Sequence, residues 1–172
     1  RLLGILVSFL LVPLWLLIAQ EPELLPPELG FIGPQEEPNI PLLIQFIIAN
    51  LGVELLRMAS IHTPSPLATA LGLVGGLLIG DIAVQVGLFS SETLLYMGIV
   101  AIGVFSTPSW ELSLANRLVL FLLLILTGIL GIPGLLTGLA MVLLRLFTTR
   151  SFGVPYMWPL FPFNWKALQS IL

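Results

Sequence analysis

The stretch LGLVGGLLIGDIAVQVGLF, residues 71–89, decides how the rest of the chain is read. It is long enough to cross a bilayer, where about 20 apolar residues span the hydrocarbon. Yet it carries Asp81 and Gln85. Gly72, Gly76 and Gly80 recur at every fourth position, which places them on one helix face. Small residues at that spacing let a second helix approach closely. A carboxylate at membrane depth is costly and usually turns toward protein or water. The stretch therefore predicts a helix packed against neighbours, with a polar feature facing a partner or a water-filled path.

Composition points the same way. Of 172 residues, 58% are hydrophobic and 9% charged, and mean hydropathy is +1.11. A soluble domain carries about 25% charged residues, and a globule of this size would be left with an apolar surface. The net charge of −3 comes with no basic stripe, which argues against nucleic acid as a partner. The absence of cysteine excludes disulfides, thiolate metal sites and cysteine nucleophiles. A start at Arg1 predicts a fragment or processed product. No small-residue cleavage pattern follows the first apolar run, so a retained span is expected rather than a signal peptide.

Outward from residues 71–89, the chain divides into apolar runs and polar breaks. Leu2–Ala19 forms the first span, broken by Pro13. Residues 20–41 form an acidic, proline-rich loop with five glutamates and no Lys or Arg. Leu42–Ser60 is amphipathic: Gln45, Asn50, Glu54 and Arg57 interrupt it. IHTPSP, 61–66, ends that helix, and Leu67–Phe89 is the glycine-rich span. SSE at 90–92 is a turn in which Ser90 or Ser91 caps Thr93–Ser106. TPSWE, 107–111, precedes an apolar run over Ser113–Ile132. GIPG, 131–134, separates that run from Leu135–Phe147. The tail, 148–172, carries Phe152, Tyr156, Trp158, Phe161, Phe163 and Trp165, which suit an interfacial belt. If every run crosses, all Lys and Arg fall on one side, as the positive-inside rule requires. The expected fold is all-α: a polytopic membrane helix bundle of about six transmembrane or re-entrant helices. It forms a single membrane domain over 1–172, with 148–172 as a cytoplasmic or interfacial tail.

The polar residues inside these runs are the candidate sites. Asn50, Glu54 and Arg57 share one helix face. Either they line a pore or pocket, or Glu54 and Arg57 pair with each other while Arg57 reaches up to water. Asp81, with Gln85 one turn on, is a candidate pore-facing carboxylate; the alternative is a carboxylate bonded to a neighbouring helix, or protonated. Gly72, Gly76 and Gly80 are candidates for helix packing. His62, the one histidine, is a loop candidate rather than a ligand, because a metal site needs several ligands. Glu111, Asn116 and Arg117 are candidates for a gate or subunit contact; Ser109 capping a helix with Glu111 in its first turn explains the same residues. Neither GxSxG nor a phosphate-binding glycine motif occurs. No enzyme activity, cofactor or metal is expected.

Four stretches carry a resemblance: GFIGP with NIP within 30–41, residues 50–96, FSTPSWELSLANR at 105–117, and RSFGVPYMWPLFPFNWKAL at 150–168. Together they resemble the membrane region of the spore germinant receptor A-subunit family (GerA type), most of all its stage V sporulation branch. The polar positions that match the family pattern are Glu54, Arg57, His62, Asp81, Glu111 and Asn116; Trp110 stands where the family usually has Tyr. The resemblance implies an integral protein of the inner membrane of bacterial endospores, preceded in family members by a soluble domain. It also implies a homo-oligomer that forms an ion channel during germination, working with other germination membrane subunits. A small-solute transporter and a non-conducting membrane scaffold are the competing expectations.

Overall fold

The computed structural model describes residues 2–62, 76, 80–105, 107, 109–151 and 154–155. The fold is helical, as composition and spacing predict. The principal helices are α1 (Leu2–Gln20), α2 (Leu42–His62), α3 (Ser91–Phe105), α4 (Trp110–Leu130) and α5 (Ile132–Thr148). Residues 80–85 are helical ahead of α3. The acidic loop holds two 3-10 turns, Pro22–Leu24 and Pro27–Ile32. After α5, Arg150–Ser151 and Val154–Pro155 pair antiparallel.

Several boundaries differ from expectation for local reasons. Pro13 does not break α1: the helix continues through it, with Val12, Pro13 and Trp15 all buried. Proline removes one amide donor, and packing along the helix holds the rest in place. The helix expected from Ser113 begins at Trp110, because Ser109 Oγ accepts from the Leu112 amide. Ser90 Oγ accepts from the Thr93 amide, which starts α3 at Ser91. α2 runs on to His62, so the expected loop histidine is the last residue of a helix. The IHTPSP break beyond it, Gly72 and the tail aromatics lie outside the described residues.

Contacts fix how the helices run. Asn116 bonds Ser8 and Gln20 bonds Gly128, each pair 108 positions apart, so α1 and α4 are parallel and in one register. α3 runs antiparallel to α1, with Tyr96 against Trp15 and Gly103 against Gly4. α2 is antiparallel to α4: Leu43 meets Gly128, and Glu54 meets Arg117. Gly131 makes the turn between α4 and α5 at φ 63°, where a side chain would be strained. Beyond it Gly134 and Gly138 pack onto Leu126 and Leu123. GIPG therefore joins a helical hairpin rather than kinking one long helix.

The core lies along α1. Trp15, Leu16, Phe46, Val100, Leu120 and Leu124 are buried together. Trp15 stacks edge-on against Phe46 and tilts against Tyr96. Its Nε1 donates to the Ile32 carbonyl at 2.7 Å, which ties the acidic loop to the bundle.

These directions sort the charges. Arg57, Arg117 and Arg145 lie at the end holding the start of α4. Glu21 and Glu92 lie at the other end, with the acidic loop. Leu3–Gln20 and Trp110–Leu130 are long and apolar enough to cross a membrane, and three further helices are apolar but shorter. Leu3, Ile102, Leu118, Ile129 and Leu144 stand exposed around the outside, an apolar surface suited to lipid.

A Cβ on Gly103 would lie 2.7 Å from the Gly4 carbonyl oxygen, whereas one on Gly98 would meet nothing within 4 Å. Gly103→Val is therefore expected to lower thermal stability in detergent by the ~1–3 kcal/mol typical of overpacking. Gly98→Ala should leave it unchanged or raise it. Tryptophan fluorescence on heating distinguishes the two, and an unaffected Gly103→Val would contradict the close α1–α3 crossing.

Candidate functional site

α2 turns Asn50, Glu54 and Arg57 to one side, as their spacing predicts, and that side faces α4. Glu54 pairs with Arg117 across the interface, the two side chains retaining 15% and 7% exposure. The expected pairing of Glu54 with Arg57 is not the one formed. Arg57 Nη1 donates to Ser113 Oγ at 2.5 Å, and its guanidinium lies 4.3 Å over the Trp110 ring. The physical reason is that α4 brings a second cation to Glu54 from another helix, which spacing along α2 does not reveal. Behind the pair, Asn116 Nδ2 donates to Ser8 Oγ, which donates to the Ile5 carbonyl. One cluster thus draws on α1, α2 and α4. Asn50 Nδ2, Arg117 Nη2 and Thr127 Oγ1 are buried there or further along α4 with no hydrogen-bond partner among the described residues.

Glu111 is separate from this cluster. It is exposed in the first turn of α4, where a carboxylate complements the helix dipole. Asp81 and Gln85 are also separate. Both are exposed, and Gln85 Nε2 donates to Asp81 Oδ2 at 2.9 Å. Ile82, on the same short helix, and Val86, in the turn after it, are exposed. Gly76 has nothing within 4 Å of a Cβ built on it, and Gly80 meets Leu94 at 3.7 Å. Among the described residues, close backbone contact is made by Gly103 and Gly134, while Gly138 lies against the Leu123 and Leu126 side chains. The side chain of His62 lies outside the described residues.

A second polar centre forms at the acidic end. Gln45 is buried; its Oε1 accepts from the Ser90 amide and the Thr93 hydroxyl, while its Nε2 donates to the Ile40 carbonyl. Glu92 Oε1 accepts from the Gln35 amide, and Asn39 Nδ2 donates to the Gly87 carbonyl. Between these groups lies a cavity of about 490 Å³, with Glu36, Glu37, Asn39, Gln45 and Ser91 among its walls. The sequence marks Gln45 as a polar break in an apolar run but does not reveal this central place, and it gives Ser8, Thr93 and Thr127 no such distinction. The available signal was a polar side chain inside an apolar run. Among the described residues, no three His, Cys, Asp or Glu side chains are grouped to hold a metal ion.

The family model for the Bacillus/Clostridium GerA spore germination protein matches residues 1–172. Stage V sporulation protein AF of Bacillus subtilis (strain 168) is 48% identical over all of this chain and 35% of its own length. Spore germination protein KA of the same organism is 32% identical over 87% of this chain and 28% of its own. The uncharacterized membrane protein YfkQ, also of B. subtilis, is 30% identical over 95% of this chain and 33% of its own. The chain thus spans about a third of the length of these relatives. No solved structure matches.

Removing one member of a buried ion pair strands the other charge, at about 3–5 kcal/mol. Glu54→Gln and Arg117→Gln are each expected to lower thermal stability strongly, and the double variant should recover part of the loss. A thermal double-mutant cycle in detergent measures this coupling. Strictly additive losses would show that the two groups do not interact.

Proposed function

This chain belongs to the GerA spore germination protein family, and we propose that it is helical membrane structure of a germination-complex subunit that lines or supports an ion path. Copies of the chain assemble together and with other germination membrane subunits, in the inner membrane of the endospore. Support comes from the relatives, which are named as sporulation and spore germination proteins, and from the apolar exterior of the bundle. The segregated charges set the orientation: the end with Arg57, Arg117 and Arg145 faces the interior of the spore, and the acidic loop faces outward.

One observation carries the assignment of the path. Asp81 is an exposed carboxylate on a short helix, with Ile82 beside it and Val86 in the following turn also exposed. Facing lipid, it would be costly. Facing the same residue in neighbouring copies, it forms a ring of carboxylates around an aqueous axis, a common basis for cation selectivity. Glu54 is a poor candidate for that lining, because Arg117 already neutralises it inside the bundle. Gly76, open among the described residues, then sits where a neighbouring helix approaches.

A second reading has its own observation. Glu54 with Arg117, Asn116 with Ser8, Arg57 with Ser113 and Gln45 with Thr93 satisfy one another across helices. A non-conducting scaffold would be built this way. The small-solute transporter has no comparable support from these contacts.

Proteoliposomes separate the two. With the full-length subunit and its partners reconstituted, Asp81→Asn should change cation preference and lower the single-channel current several-fold, without altering oligomer mass. Liposomes that stay tight with every partner present would favour the scaffold. Currents unchanged by Asp81→Asn would remove Asp81 from the path.

A further inference from the structure

Between α4 and α5, at the arginine end, lies a groove of about 290 Å³ lined by Leu118, Leu122, Met141, Val142 and Leu146, with Arg145 at its edge. Its walls are apolar, and Leu118 and Met141 are exposed on the outside of the bundle. We propose that this groove holds an acyl chain of an anionic phospholipid whose phosphate is bound by the Arg145 guanidinium. The proposal rests on α4 and α5 lying in the bilayer, as in the function proposed above.

Three features favour that occupant. The first is length. The apolar lining on α5 runs from Met141 to Leu146, five rises of 1.5 Å, or about 7.5 Å. One leaflet offers about 15 Å of hydrocarbon, half of the ~30 Å core. The groove therefore takes about half the depth of a single lipid tail, the part nearest a headgroup at the arginine end.

The second is charge. Arg117 is paired with Glu54, and Arg57 is held by Ser113 and Trp110. Arg145 is exposed, and its guanidinium has no acidic partner among the described residues. Basic groups beside apolar crevices at this surface are suited to anionic headgroups.

The third is that Arg145 is not needed to cap its own helix. The Thr149 amide and hydroxyl both donate to the Arg145 carbonyl, and the Thr148 hydroxyl donates to the Leu144 carbonyl. Threonine side chains thus satisfy the last turn of α5. A cation in that turn still complements the helix dipole, but that role is indifferent to lipid identity.

Native mass spectrometry of the full chain, released from micelles doped with phosphatidylglycerol or phosphatidylcholine, tests the site. Phosphatidylglycerol should be retained and phosphatidylcholine lost. Arg145→Gln should weaken phosphatidylglycerol retention roughly five-fold, as expected for one basic residue at the headgroup level, while Arg145→Lys keeps most of it. Val142→Trp should fill the groove and release the lipid in the Arg145 background. Glycerol phosphate, which has no tail, should not compete. Equal retention of the two lipids, or no effect of Arg145→Gln, would overturn the proposal. So would a Val142→Trp chain that loses oligomer mass instead of lipid, since the groove would then seat protein. None of these outcomes bears on the Asp81 currents, so the two proposals fail separately.

Discussion

A charge taken out of water must find an opposite charge or bear a large desolvation cost. In this bundle that constraint is met by Glu54 and Arg117, and much of the arrangement follows from it. The pair sets α2 against α4 in one antiparallel register, which Arg57 with Ser113 and Leu43 with Gly128 continue at either side. With α2 so placed, its first turns reach α3. Gln45 can then bond Ser90 and Thr93 and organise the acidic end. A slip of one turn between α2 and α4 would break both polar centres together.

α1 supplies the apolar counterpart. It packs on α3 and α4 along most of its length, and Trp15 gathers Phe46, Tyr96 and the Ile32 carbonyl around it. The indole is well suited to this position, since one edge is apolar and the other donates a hydrogen bond. A proline-rich loop with little regular structure thereby gains a fixed attachment. The result is a bundle with two unlike ends: a basic end closed by one buried ion pair and an acidic end with an open cavity.

The polar residues divide into two kinds. Those at the α1–α2–α4 junction are inward and largely committed to each other. Asp81, Gln85 and Arg145 are outward, and among the described residues nothing beyond the Asp81–Gln85 bond occupies them. Inward groups make one helix packing specific; outward groups in an apolar exterior call for something outside the chain. That division is why the proposed path and the proposed lipid site both lie at the surface of the single chain, while Glu54 and Arg57 are engaged inside it by Arg117, Ser113 and Trp110.

Composition and periodicity alone determined that the chain is a set of apolar helices with lipid as the natural solvent, where the breaks fall to within a few residues, and that Arg57, Arg117 and Arg145 gather at one end. Those properties are local or additive: a run of about 20 apolar residues, a Ser before a helix, a proline cluster. Tertiary structure decided which charge meets which. Along α2, Arg57 is the neighbour of Glu54, but α4 delivers Arg117 from 63 positions away. It also decided which glycines allow close packing, choosing Gly103, Gly134 and Gly138 over Gly76, and it carried α1 straight through Pro13. The physical reason is common to all three. Spacing along one helix specifies which side chains share a face, whereas the partner of that face depends on how separate helices fit together.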